Sequence, residues 1–176
     1  MDEHASFRTS PGANGEEAHA RFGAPAPDPV TLAPGADENG LAVMLHGLLV
    51  ENVAASPAKR RDLEALATPF GIVAPDADVR VTLSFGGGRC TIHDGLRSDA
   101  EVIVTADSDR IPELSLLSIR YGLPWVLDDA GKGFLRALAE RKIRIRGLVD
   151  FPPRFRDTLR RTIDLVRLTR LMSVNG

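Results

Sequence analysis

Val79-Arg-Val-Thr-Leu-Ser-Phe85, then Gly86-Gly87-Gly88, then Arg89-Cys-Thr-Ile92, is the stretch on which the fold turns. Val79, Val81, Leu83 and Phe85 alternate with Arg80, Thr82 and Ser84, the period of a strand with one buried and one wet face. The three glycines accept positive φ without steric cost, so the chain reverses there and Arg89–Ile92 returns as a second strand, closed by Asp94-Gly95. A phosphate cradle is the weaker reading of those glycines. No Lys-Ser/Thr follows them, and the next element is a strand rather than the helix N-terminus that would hold an anion.

Working outward, Ala100–Ala106 is a third strand, with Val102 and Val104 on one face against Glu101, Ile103 and Thr105 on the other. Lys142–Gly147 is a fourth, reached only after a long excursion from Asp107 to Arg141. Upstream, Phe70–Val73 reads as an edge strand. Helices surround these strands. Asp37 or Asn39 caps one starting near Gly40, whose apolar face is Leu41, Met44, Leu45, Leu48, Leu49 and Val53. Ser56-Pro57 ends it, and Ser56 caps a second with Leu63, Leu66 and Ala67 as its buried edge. Asp107 or Ser108 caps a leucine-rich helix, and Phe134, Leu135 and Leu138 form one more helical face. A last helix runs from Arg154 to about Met172, with Phe155, Leu159, Ile163, Val166 and Leu168 as a wide stripe. The expected fold class is α+β: an antiparallel (mixed), about five-stranded sheet with helices packed on one face.

Residues 1–38 are rich in Ala, Gly, Pro and acid without apolar period and read as a disordered tail, leaving 39–176 as one domain. The single cysteine excludes an internal disulfide framework. The first residues lack a basic-then-apolar pattern, and Leu41–Val50 falls far short of the roughly 20 residues a membrane span needs. A soluble cytoplasmic protein is the expectation. The net charge of −2 is unevenly spread. Residues 1–40 carry 2 basic and 7 acidic groups, 41–131 carry 8 and 13, and 132–176 carry 12 and 4. That basic C-terminal quarter calls for a partner or a structural use.

Catalytic and metal chemistry find little support. His46 and His93 stand apart from any acid pair or cysteine with metal-ligand spacing, Cys90 sits on a strand without a basic cluster, and Asp107/Asp109 and Asp128-Asp129 read as cap and loop acids. The expectation is no enzyme, no metal and no cofactor. Nucleic acid is not the expected partner either, because the basic C-terminal region has almost no aromatics to stack on bases. A basic helix with a wide apolar face suits an anionic membrane surface or an acidic partner. The excursion itself is apolar beyond the needs of a two-layer core: Leu114, Leu116, Leu117, Ile119, Tyr121, Leu123, Trp125, Val126, Leu127, Phe134, Leu135 and Leu138. It is read either as core filling or as the wall of a cavity between sheet and helices that accepts an apolar ligand.

Val79–Phe85, Asp99-Ala-Glu-Val-Ile-Val-Thr-Ala-Asp107 with Ser108 and the leucines after it, and Arg141-Lys-Ile-Arg-Ile-Arg-Gly147 resemble the sterol carrier protein 2 (SCP-2) family. They occur in the family's order over roughly residues 40–172. Gly131-Lys132 sits behind an added segment, Ser118–Ala130, and Leu148 follows the strand's last glycine where the family commonly has an acid. The resemblance implies an SCP-2-like fold and the non-catalytic binding or transfer of an apolar lipid (fatty acyl, sterol or isoprenoid). Its lining would fall on Phe85 and Ile92, Leu114 and Leu117, Phe134 and Leu138, Ile143 and Ile145. The last helix would add Leu159, Ile163 and Val166 as a wall or lid, and Trp125 joins from the excursion. The competing expectation is an accessory module with a filled core, whose basic C-terminal helix meets a protein partner, an anionic membrane or a second copy in a homodimer.

Overall fold

The computed structural model describes residues 28–109, 119–120, 123–124, 132, 136, 140, 143–149 and 155–173. The hairpin expected at the glycines is there: β3 (Val79–Gly86) and β4 (Arg89–Asp94) pair antiparallel, with Leu83 opposite Ile92 and Phe85 opposite Cys90. Gly87 and Gly88 both take positive φ in the turn. The sheet has six strands rather than five. With β1 (Val30–Leu32), β2 (Phe70–Ala74), β5 (Val102–Ala106) and β8 (Ile143–Arg146), the order is β1-β4-β3-β2-β5-β8. The β1/β4 and β2/β5 pairs are parallel and the others antiparallel, so the sheet is mixed and the α+β class holds. A separate two-stranded pair, β6 (Ile119–Arg120) and β7 (Leu123–Pro124), is antiparallel.

Two placements differ from the sequence reading. Phe70–Val73 is not an edge strand: β2 lies at the centre, between β3 and β5. Its nearly unbroken apolar run is what a strand buried on both faces requires, and Gly71 has a neighbour on its outer side, Leu96, whose methyl would meet any added Cβ. The second difference lies in the segment assigned to the tail, where residues 28–38 are structured. Val30 is fully buried, Cys90 donates its backbone N–H to the Pro29 carbonyl at 2.8 Å, and a 3-10 turn at Ala36–Glu38 leads into the first helix. A three-residue strand is too short to show a period.

α1 (Gly40–Ala55) begins where Asn39 predicts: its side chain accepts from the Leu41 and Ala42 N–H groups at 3.0 and 3.3 Å. The same amide donates to the Arg80 carbonyl and to Asp94, which fixes the helix entry against the β3–β4 hairpin. α2 (Pro57–Ala65) starts at Pro57, but Ser56 makes no side-chain cap bond. α3 (Phe155–Met172) spans the predicted helix. The helix expected after Ser108 lies outside the described residues. Ser108 itself gives its backbone N–H and its hydroxyl to the Asp76 carboxylate, at 2.9 and 2.6 Å. Those bonds hold the Asp76 carboxyl below the usual carboxylate range.

Gly147 closes β8 at φ +81°, and a Cβ there would stand 1.9 Å from the Glu101 carbonyl oxygen. Gly35 has nearly the same φ, +82°, with open space around it. Gly35→Ala is expected to cost about 1–2 kcal/mol, the left-handed backbone penalty alone. Gly147→Ala is expected to cost at least ~2 kcal/mol more, because backbone must move to admit the methyl. Urea unfolding of the two variants measures the difference, and equal losses would contradict the close approach.

Candidate functional site

One face of the sheet is apolar from edge to edge. Ile92, Leu83, Phe70 and Val102 run across four adjacent strands in register, and Val81, Ile72, Val104 and Ile145 form the next row. Phe70 and Phe85 meet edge to face with centroids 6.2 Å apart. α1 lies over β1, β3 and β4, and α2 reaches β4. The apolar face continues past them onto β5 and β8, where Val104, Ala106 and Ile143 are buried and Ile145 is half-buried. The opposite face carries Thr31, Arg80, Ser84, Thr91, His93, Thr105, Arg144 and Arg146, together with Gly71, Val73 and Ile103.

α3 packs on α1 and α2 and touches β7. Polar pins fix it at three places along its length. Asp164, 1% exposed, accepts from the Thr68 hydroxyl at 2.7 Å, the Thr68 N–H at 3.1 Å and Arg167 at 3.0 Å. Glu101, ahead of β5, accepts from Arg160 at 2.7 Å and from Arg161 at 2.8 Å, and Arg161 also donates to the Gly147 carbonyl at 3.0 Å. Burial pushes the Glu101 carboxyl up, but hydrogen bonds from Arg161 and Arg160 and their charges outweigh it and bring it below its ordinary value. At the C-terminal end, Asn52 donates to the Leu171 and Met172 carbonyls at 3.0 and 3.3 Å, and buried Lys59 donates to Asn52 and to the Ser173 carbonyl. The last helix carbonyls, which have no partner within the helix, are thus satisfied by side chains of α1 and α2. Burial draws the Lys59 pKa below that of an ordinary lysine. Arg170 meets Asp62 at 2.7 Å, a carboxyl that burial raises and Arg170 only partly restores.

The twelve expected lining residues separate into three groups. Ile92 and Ile143 are buried in the apolar face of the sheet, with Phe85 and Ile145 half-buried on that same face. Leu114, Leu117, Trp125, Phe134 and Leu138 lie outside the described residues. Leu159, Ile163 and Val166 are placed differently from a lining wall. Leu159 and Ile163 are 48% and 41% exposed, Val166 is half-buried, and Phe155 is 79% exposed. At 100° per residue these four share one side of α3, while Asp164, Leu168 and Leu171 occupy the opposite, buried side. Of the expected stripe only Leu168 is on the buried side, which it shares with Asp164.

Cys90 is fully buried and its thiol is pushed up to about 12 by desolvation, so it is no thiolate. Burial lowers the His93 pKa, with Arg97 adding to the effect. Among the described residues no group of three or more His, Cys, Asp or Glu is placed to hold a metal ion. None of the helices described is long and apolar enough to cross a membrane. Sequence reasoning missed Thr68, Glu101 and Asp164 as the pins of α3. The one available signal was an acid four residues before Leu168, on the same side of the helix as Leu168 and Leu171.

No family model matches the chain, and no curated protein matches it. Among solved structures it is similar to "UbiJ-SCP2 Ubiquinone synthesis protein", at 15% identity and a TM-score of 0.45, covering 72% of this chain and 93% of that one. It is also similar to "Crystal structure of sterol carrier protein 2", at 14% identity and a TM-score of 0.42, covering 74% and 94%.

Asp164→Ala leaves the Thr68 N–H and hydroxyl without their acceptor and is expected to cost about 3 kcal/mol in chemical denaturation. Glu101 adds a pH dependence. Its folded pKa lies below the unfolded value of 4.5, so its contribution is complete above that pH and is lost as acid titrates the carboxylate below it. Glu101→Gln should flatten the loss of stability below pH 4.5; an unchanged acid limb would show that the two arginines do not hold the charge.

Proposed function

We propose that the protein binds or transfers an apolar lipid, held between the β5–β8 end of the apolar sheet face and the leucine- and aromatic-rich segment 111–138. The observation that carries this reading is the continuation of the apolar face beyond the strands that α1 and α2 cover, onto Val104, Ala106, Ile143 and Ile145. The sequence places its most apolar stretch next to those strands in the chain. The SCP-2 resemblance of the strand and glycine motifs points to the same ligand class. Such a site binds by removing apolar surface from water, at about 25 cal/mol per Å2, with a few polar groups setting orientation. In this reading Phe85, Ile92, Ile143 and Ile145 supply the sheet wall, and Leu114, Leu117, Trp125, Phe134 and Leu138 the opposite wall. Binding and release need no covalent chemistry. Loading from a bilayer requires contact with one, and the flank of α3 is the surface offered for it.

Purified protein is expected to take up a fluorescent fatty acid saturably and to release a co-purified lipid in native mass spectrometry. Ile145→Asp puts a charge on the half-buried wall and should lower uptake at least tenfold, equivalent to ~1.4 kcal/mol, with the circular dichroism spectrum unchanged. No uptake by the wild-type protein would favour the accessory module with a filled core.

A further inference from the structure

We propose that the exposed flank of α3, together with the turn after β8, docks on an anionic bilayer surface. Val149 is 67% exposed, and Phe155, Leu159 and Ile163 follow one another at four-residue spacing on the outer side of α3. The stripe from Phe155 to Ile163 is about 12 Å long. The Arg161 bond to the Gly147 carbonyl, two residues before Val149, holds the end of β8 against this helix. The inner side of the helix is committed to Thr68, Asn52 and Lys59 through the bonds described above, which leaves the apolar stripe to be presented outward on a fixed support.

What borders the stripe selects the partner. On one side stand Thr158, Thr162 and Thr169; the Thr162 and Thr169 hydroxyls bond the Thr158 and Leu165 carbonyls at 2.8 and 2.9 Å, so this border is uncharged. On the other side the arginines sort into two kinds. Arg160 and Arg161 are paired with Glu101, Arg167 with Asp164 and Arg170 with Asp62. Arg146 and Arg156 are exposed and join no ion pair among the described residues. Arg156 therefore stands beside the exposed apolar side chains, and the nearest acids of the helix, Asp157 and Asp164, are on other sides of it; Arg146 lies at the end of β8, on the opposite face of the sheet. An apolar strip with the exposed Arg156 at its margin matches the boundary between acyl chains and anionic headgroups. A second copy fits less well. Four partly exposed side chains fall well short of the roughly 800 Å2 per partner of a standard interface.

The docking does not require that the protein carry a lipid. The test is co-sedimentation of the full chain with vesicles of phosphatidylcholine alone and of phosphatidylcholine mixed with phosphatidylserine. Binding is expected only to the mixed vesicles, falling as salt is raised. Phe155→Ser and Arg156→Glu should each weaken it, and the two together by about tenfold or more. All these side chains are exposed, so circular dichroism and fatty-acid uptake should be unchanged. Failure to bind the mixed vesicles, equal binding to neutral ones, or wild-type binding by the variants overturns the proposal. So does a dimer in light scattering that Phe155→Ser abolishes in a protein without vesicle binding, which would assign the stripe to a second copy. Vesicle binding without fatty-acid uptake supports the docking and counts against lipid carriage alone.

Discussion

Glu101 is where β5, β8 and α3 are joined. Its carbonyl oxygen stands so close to Gly147 that β8 must end on a residue without a side chain. Its carboxylate takes one hydrogen bond from each of Arg160 and Arg161, and Arg161 returns to the carbonyl of the same Gly147. A single residue ahead of a central strand thus sets the end of the edge strand and the angle of the last helix. Backbone approach and ion pair reinforce one another, because moving either element away breaks the other's contact. Asp164 and Thr68 repeat the arrangement one turn further along, inside the protein, where an acceptor removed from water must have its donors supplied.

The uneven charge of the chain follows from these joints. The C-terminal quarter is strongly basic, but four arginines of α3 are matched to carboxylates, and three of those four reach acids outside that quarter: Glu101 and Asp62. Much of the asymmetry along the sequence is therefore attraction between distant segments of one chain rather than an unmatched surface. The remainder, which includes the exposed Arg146 and Arg156, bears on what lies outside the protein.

The β3–β4 hairpin, the Asn39 cap, β5, β8 and α3 were legible in the sequence because each carries a period or a turn signal long enough to read. β1 was not, since three residues between prolines have no period and their burial comes from pairing with β4. β2 showed itself as a strand but not as a central one: strand order is decided by the parallel pairing with β5, thirty residues on, and a lone apolar run carries no trace of it. The apolar face of the sheet was legible, since alternation places Phe85, Ile92, Ile143 and Ile145 on it. The sides of α3 were misread. Apolar residues on both sides of that helix merge into one wide stripe, and only the location of Asp164 tells the inner side from the outer.

That division of α3 bears on how the protein keeps its shape while exposing apolar surface. A helix held by apolar contacts alone would reduce its exposure by rolling inward, since each buried side chain contributes roughly 1.5–3 kcal/mol. Here rolling would pull Asp164 from Thr68, the arginine pair from Glu101, and the last carbonyls from Asn52 and Lys59. Directional bonds to buried groups are costly to leave unmade, so they fix rotation in a way that non-directional burial cannot. The polar inner face is thus the reason that Phe155, Leu159 and Ile163 stay outside, and a helix with leucine at position 164 would lose the restraint that keeps its outer stripe exposed.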